Sequence, residues 1–565
     1  MKKNYVILAL ILIIVLFTFS SINIITWGLP KEIDLNSYHP DESAIFKSIK
    51  SMNPQEYDFN PKVFIYPSLY PYTVAVVLKI SSLVKFITIT SSQSFYETHS
   101  WELAKIFLIG RLVTLFFGIG CIIFTFLIGK RLYHWSVGLI SALFLSIIPT
   151  FIIHSSLIKV DVPAAFWALV SIYFTLRIIK SNSFYNYLFA GLSAGFAAAT
   201  KYNAVLCIIP LFVVHFQKYW KSHSFFKVIF HRFLIYASIM TLVGYFIGNP
   251  YSFFDLDRFF LDITNEMTRV HTGHMGFDIN PAGFIYNYYI FEFLAVFPFM
   301  LGFPIYLTSL GGILLSTWYD WKKSIIILSF LAPYIIILGS WRVAFARYYI
   351  PLIPIFVIFS SLFIYYLFIS VKKRKSKLLA ISGLLLILIY MFAFTGSLIL
   401  NFSNDPKDLA NEWINLNVPE NDTIGIFLMW SFTPPINQSK YNLILVQNQT
   451  YDTLKSSNPD YLVLSSTKYL ISYRDKNQFN ESYHFYNQLR TGKLNYKLIK
   501  KFESDYFNQE LYQKLDPMFE SYYLLPDIEI YKKENLNISI EKFNLRNIHG
   551  GYCDLQLRIK LLQCK

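Results

Sequence analysis

The chain has 565 residues, 54% of them hydrophobic and 19% aromatic, and only 15% are charged. A soluble domain carries about 25% charge, so this balance, with its repeated long apolar runs, excludes an ordinary water-soluble protein and points to a polytopic α-helical membrane protein. The net charge of +15 follows membrane topology rather than nucleic-acid binding, and four cysteines are too few for a disulfide scaffold.

Lys2-Lys3 followed by the apolar run Tyr5–Trp27 reads as an uncleaved first span with its N-terminus inside. The run makes roughly 34 Å of helix, enough for a bilayer, and no small-x-small cleavage site closes it. Ten further spans are expected: Lys105–Ile128, Val137–Ile153, Pro163–Ile179, Tyr187–Ala199, Ala204–Phe216, Phe233–Gly248, Val296–Ser316, Ser324–Gly339, Ile350–Ser370 and Leu378–Leu400. Leu69–Thr90 is apolar enough for a twelfth, yet it contains Lys79 and Lys85 and is flanked by Tyr66-Pro67 and Pro71. Charge decides that case. With eleven spans the inside segments hold 17 basic residues, from Lys2 to Lys377, against Asp320 alone, a strong positive-inside signal. A twelfth span would invert every later loop, so Leu69–Thr90 is read as a juxtamembrane helix on the outer surface, its lysines snorkelling.

An odd number of spans puts 401–565 outside, as an extracytoplasmic domain. There Asp405–Asn415 reads as a helix, and Thr423–Met429, Asn442–Val446, Asp460–Leu464 and Asp527–Tyr531 read as short strands, a small α/β domain. Six Asn-x-Ser/Thr sequons (Asn401, Asn421, Asn437, Asn448, Asn480 and Asn537) fall in this region and support the outside location mildly. Cys121 and Cys207 lie in apolar runs as small core residues; Cys553 and Cys564 are able to pair in an oxidising compartment, which spacing alone does not show.

Charged groups at the outer ends of spans are costly and tend to be functional. They are Asp41-Glu42, Arg111, Lys159-Val160-Asp161, Lys201, Asn249-Pro250, His271 with His274, and Arg342 with Arg347. Basic residues there run against the positive-inside bias, and a lipid-linked phosphate would explain them, because Arg and Lys clamp phosphate oxygens. Competing structural readings stand beside several of these. Asp161 before Pro163 is equally a helix cap, Lys201 equally ends a span at the interface, and His274 is the weakest of the set, an outer-loop histidine being usually just solvated. Asp41, Asp161 and His274 come from separate loops without metal-ligand spacing, so no metal or other cofactor is indicated.

These residues occur in an order that resembles the GT-C fold polyprenyl-phosphate-sugar glycosyltransferases, the superfamily of protein O-mannosyltransferases and aminoarabinose transferases. The carriers are His39-Pro40-Asp41-Glu42 after the first span, Tyr66-Pro67-Ser68-Leu69, Gly110-Arg111-Leu112, Gly129-Lys130-Arg131-Leu132, Pro149, Asp161-Val162-Pro163, Ala199-Thr200-Lys201-Tyr202, Asn249-Pro250-Tyr251, Gly273-His274 and Arg347-Tyr348 with Pro351 and Pro354. The resemblance covers residues 1–400. It implies a glycosyltransferase domain there, with 28–104 as its first outer loop, acting at the outer face of the plasma membrane. The donor would be a sugar on a polyprenyl or dolichyl phosphate, and the acceptor a protein, glycan or lipid hydroxyl. Carried over, Asp41 is the catalytic base, Glu42 orients it or contacts the acceptor, and Asp161 is a further catalytic carboxylate. Arg111, Lys201 and Arg347 contact the donor phosphate; His274, Tyr66 and Tyr348 are substrate contacts. Two other classes compete: a transporter or flippase of lipid-linked saccharides, disfavoured by the absence of an internal repeat, and a catalytically silent glycan-binding membrane protein. An oligosaccharyltransferase with a lipid pyrophosphate donor would be expected to carry a tryptophan-rich motif in its outer domain, where only Trp413 and Trp430 stand.

Overall fold

The first apolar run folds into helix α1 (Lys2–Ile25) in a computed structural model. It describes residues 2–534 apart from 182, 223, 274–287, 344, 371–372, 428–429, 447–449, 475, 508 and 510–523. Residues 28–99 then carry α2 (Pro40–Lys50) and α3 (Leu69–Leu83). At about 1.5 Å per residue α3 is roughly 22 Å long, short of the ~30 Å hydrocarbon core, and Val76, Ile80, Leu83 and Val84 lie exposed on it and at its end. Helix α4 (Ser100–Leu132) runs beyond both ends of its expected span.

The expected span Val137–Ile153 is instead two helices, α5 (Trp135–Ser146) and α6 (Pro149–Ser155), bent by 69°. Pro149 stands in the first turn of α6 with Ile148 extended before it. Proline supplies no N–H to continue α5 and disfavours a helical residue in front of it. Next come α7 (Asp161–Lys180), α8 (Phe184–Ala198), a 3₁₀ turn at Tyr202–Ile208, α9 (Ile209–Tyr219) and α10 (Arg232–Gly248). Helices α8 and α10 touch backbone to backbone: a Cβ on Gly191 would lie 2.1 Å from Ala237 O, and one on Gly195 2.2 Å from Thr241 O. This is the close approach that a small-xxx-small pair permits between helices in lipid.

An amphipathic helix, α11 (Leu256–Thr272), follows, and then, beyond residues 274–287, a π turn at Glu292–Val296 and a break at Gly302. Helix α12 (Phe303–Leu338) is interrupted at Asp320, whose backbone is non-helical. The Ser316 and Ser324 hydroxyls bond across that break; in a straight helix they would stand about 12 Å apart, so the chain reverses there. Two more helices, α13 (Ile353–Ser370) and α14 (Arg374–Ser403), complete the apolar part. Among the described residues six helices are long and apolar enough to cross a membrane, or seven if the bent pair α5–α6 counts as one crossing. The chain is an integral membrane protein. Fewer helices pass that test than the eleven expected spans because several of those are short, kinked or begin as 3₁₀ turns, and because Val296–Ser316 and Ser324–Gly339 fall on the two arms of α12, which counts once.

After α14 the chain enters α15 (Pro406–Asn417) and a five-stranded sheet: β1 (Thr423–Ile426), β2 (Asn442–Leu445), β3 (Tyr461–Ser465), β4 (Tyr496–Phe502) and β5 (Ile528–Lys533), in the order β2-β1-β3-β5-β4. β1 pairs parallel with β2 and β3, and β5 pairs antiparallel with β3 and β4. Helices α16 (Tyr451–Ser457), α17 (Ser466–Arg474) and α18 (Asn480–Arg490) accompany it. The four expected strands form. β4 was missed because Lys497, Lys500 and Lys501 mask its pattern; it is an edge strand whose lysines protect the edge from further pairing. Cys121 and Cys207 are free and buried; Cys553, Cys564 and the sequons at Asn448 and Asn537 lie outside the described residues. Asn401 is no open glycan acceptor. It is buried, and its amide donates to Ser397 O and Asp505 O at 2.9 and 2.8 Å, tying α14 to the sheet region.

Asp527, at the head of β5, has a buried carboxyl oxygen without a hydrogen-bond partner among the described residues. Burial pushes its carboxyl up to about 6, against the pull of Lys501. A raised carboxyl adds stability that is full below its unfolded value, near 4, and is lost as pH rises through about 6. Asp527→Asn is therefore expected to stabilise the sheet region at pH 7.5 by on the order of 2 kcal/mol and to flatten its stability between pH 4 and 7, read by thermal unfolding.

Candidate active site

His39-Pro40-Asp41-Glu42 opens α2. His39 Nδ1 caps the helix by accepting from Asp41 N at 3.2 Å, Pro40 supplies a preset φ in the first turn, and the two acids face the positive end of the helix dipole. Successive helical residues point about 100° apart, so Asp41 and Glu42 enter different surroundings.

Glu42 points inward and is fully buried. Arg111 of α4 grips it with two parallel bonds, Nε to Oε1 at 2.8 Å and Nη2 to Oε2 at 2.7 Å. Ile158 N donates to Oε1 at 2.9 Å, and the Ser37 hydroxyl donates to Oε2. Arg111 is equally buried; its Nη1 also donates to Ile25 O at 2.8 Å and Trp27 O at 2.6 Å. It thus satisfies the orphan carbonyls at the end of α1. These positions correct two expectations. Arg111 is engaged on every side by protein and presents no donor to a phosphate, and Glu42 has no exposed surface with which to contact an acceptor. Together they fix α2 against α1 and α4.

Asp41 faces the other way, its side chain 23% exposed. Lys159 Nζ lies 3.2 Å and Arg347 Nη2 3.6 Å from the same oxygen. Burial opposes its ionisation, but Lys159 and Arg347 outweigh that and hold the carboxyl below the usual carboxylate range. The neighbouring His39 ring is held well below its ordinary value by burial and by Lys159, so it is neutral. Asp161 begins α7 but makes no side-chain cap; its carboxylate takes Lys201 at 2.6 Å. Lys201 in turn stands 4.9 Å from the centre of the Tyr348 ring, and the Arg347 guanidinium lies 3.8 Å from the Phe345 ring and 5.5 Å from that of Tyr348. Tyr66 joins the group: burial raises its phenol, and Asp41 raises it further. Asp41, Asp161, Lys201, Arg347, Tyr348 and Tyr66 therefore gather in one place, whereas His274 lies outside the described residues.

Sequence reasoning missed two members. Lys159 stood among the charged span ends without a role, and nothing local marks it as the partner of Asp41. His154, in α6, gave no signal at all; it is buried, and its Nδ1 has no hydrogen-bond partner among the described residues. Both line a cavity that is partly open to solvent. Its lining combines His39, His154, Lys159 and Arg347 with the apolar side chains of Phe394 and Phe402 of α14 and of Leu524 and Leu525 from the sheet region. Among the described residues no three His, Cys, Asp or Glu side chains converge as metal ligands.

The model of a family described as dolichyl-phosphate-mannose-protein mannosyltransferase matches residues 104–245, a stretch holding Arg111, Lys159, Asp161 and Lys201 but not Asp41. Among solved structures, the apo oligosaccharyltransferase of Archaeoglobus fulgidus superposes with a TM-score of 0.51 at 13% identity, covering 94% of this chain and 89% of that one. The chain has the GT-C fold. ArnT from Cupriavidus metallidurans, solved bound to undecaprenyl phosphate, gives a TM-score of 0.49 at 11% identity, with 94% and 98% covered. No curated protein matches the chain in sequence. In this GT-C fold the cluster around Asp41 joins the segment after the first helix to residues drawn from α7, the turn after α8 and the turn before α13.

Proposed function

We propose that the protein transfers a single sugar from a polyprenyl or dolichyl phosphate to an acceptor hydroxyl at the outer membrane face, with inversion at the anomeric carbon. The observation that carries this reading is the pairing of Asp41 with Lys159 and Arg347, two cations that line a cavity together with apolar side chains. The cavity suits a lipid phosphate, charged head at the cations and chain along Phe394 and Phe402. Three cations (Lys159, Arg347, Lys201) face two carboxylates (Asp41, Asp161), leaving one surplus positive charge. A phosphodiester carries one negative charge, so this balance favours a monophosphate donor over a pyrophosphate.

In the donor-free protein Lys159 and Arg347 make Asp41 a weak base. The donor phosphate competes for both cations, and as they turn to it the carboxylate regains basicity when the substrate is in place. Asp41 then takes the acceptor hydroxyl proton, the oxygen forms its bond to the anomeric carbon, and the carbon–oxygen bond to phosphate breaks with its electron pair on the phosphate. Lys159, Arg347 and Lys201 stabilise the second charge that grows there. Glu42 acts by holding α2.

The same reading places residues 1–400 in eleven spans with the N-terminus inside the plasma membrane and 401–565 outside, supported by the 17-to-one bias of basic over acidic residues in the inside segments. Mass analysis of envelope glycoconjugates from cells with and without the protein tests the function. The loss of one hexose or pentose from a defined acceptor is expected; identical profiles, with the donor lipid unchanged, would remove the transferase reading.

A further inference from the structure

The junction between the sheet region and the site holds a second buried charge cluster that the transfer chemistry does not use. Lys407, in the first turn of α15, is fully buried. Its ammonium lies 4.0 Å from the centre of the Tyr38 ring and 5.0 Å from that of Trp27. It donates to Ser431 O at 3.1 Å and faces Asp405 at 3.6 Å. The aromatic walls belong to the segment leading into α2, whereas the lysine and its carboxylate belong to the start of α15. Asp405 accepts the Trp27 indole N–H at 2.7 Å and caps α15 through Lys407 N, also at 2.7 Å. Asp408 accepts the Tyr38 hydroxyl at 2.7 Å and Lys31 at 2.9 Å. A buried, paired cation is a poor source of stability, since an apolar side chain of similar length fills the same space without desolvation; its best-attested use is to specify one register.

Two short routes lead from this cage to Asp41. Tyr38 stands three residues before it, donates its N–H to Gly28 O at 3.1 Å, and packs so tightly on Gly28 that a Cβ there would meet the ring at 2.3 Å. The carbonyl of Trp27 receives Arg111, whose guanidinium also grips Glu42 beside Asp41.

We infer that Lys407 is a positioning residue for the reaction: the caged ammonium locks Trp27 and Tyr38 onto the start of the C-terminal region and so sets where α2 presents Asp41 to Lys159 and Arg347. The inference rests on Asp41 as the base and adds that the C-terminal region is part of the catalytic geometry. The test uses the full chain in lipid nanodiscs, with hydrogen exchange over 37–50 and transfer from polyprenyl-phosphate sugars extracted from the source membranes. In Lys407→Met, exchange over 37–50 is expected to quicken about tenfold while 461–465 keeps its protection. The kcat should fall about tenfold with the donor KM within about twofold, and Lys407→Arg should recover most of it. Parent-like exchange over 37–50 in Lys407→Met overturns the inference. Should that variant not fold, Tyr38→Phe, which removes only the bond to Asp408, is expected to quicken the same segment about threefold, and no change overturns the inference equally. Transfer that survives Asp41→Asn while Lys407→Met loosens 37–50 removes the base assignment and leaves the coupling; the converse result removes the coupling alone.

Discussion

Asp41→Asn is expected to lower sugar transfer by about 10³-fold, the scale of a lost general base, with normal expression and membrane insertion. Asparagine keeps the size of the side chain and an oxygen for Lys159 and Arg347, so the surrounding geometry survives while the proton acceptor is gone. The two cations also lose their competing carboxylate, so donor binding should tighten or stay constant as kcat falls. That split separates loss of chemistry from loss of structure, because a misfolded site would raise the donor KM. Single-turnover transfer in detergent or nanodiscs measures both. Unchanged turnover would sink the assignment. In the donor-free protein Asp41 stays ionised throughout the pH range 5 to 8, since Lys159 and Arg347 hold it below the ordinary carboxylate range, so an acid limb of kcat/KM in that range belongs to another group.

Arg111→Met is expected to destabilise the protein by about 3–5 kcal/mol, the cost of leaving a buried charge without its partner. Glu42 would remain enclosed with only Ser37 and Ile158 N to bond it, and the carbonyls of Ile25 and Trp27 would lose their donor. Arg111→Lys should recover little, because an ammonium cannot reproduce two parallel bonds to Glu42 and still reach the end of α1. The double variant Glu42→Met with Arg111→Met should be more stable than Arg111→Met alone, since the orphaned charge is removed as well. Thermal unfolding of the purified variants reads the order. A contact made to the donor rather than to the frame would give the opposite pattern: parent-like unfolding and a raised donor KM.

The contrast between Asp41 and Glu42 shows where sequence reading stops. Both are acids in the first turn of one helix, just after the first span, and the family resemblance marks them together. Which one faces the substrate depends on how α2 is rotated against α1 and α4, and that rotation is set by Arg111, 69 positions beyond Glu42. Arg111 misled for the same reason. A cation inside an apolar helix signals an obligatory anionic partner, and the signal is identical whether that partner is a phosphate or a buried glutamate. Asp161 and Lys201 each carried two readings in isolation; their 2.6 Å bond shows that the start of α7 and the turn after α8 meet, which neither segment reveals alone. Lys407 lay in a stretch that reads as an ordinary helix start, and its cage comes from Trp27 and Tyr38, far earlier in the chain.

By itself the sequence determined the membrane class, four of the five strands, and which charged residues stand at the ends of apolar runs. Those depend on properties each segment carries alone: the length of an apolar run, the excess of lysine and arginine between runs, and proline or an acid at a helix start. Only the tertiary structure decided which charges face a ligand and which face one another. A charge in an apolar chain must find a partner, and the choice between a substrate and another side chain rests on helix rotation and packing across long separations. That choice made Glu42 and Arg111 the frame and left Asp41 facing Lys159 and Arg347, two cations that line the cavity.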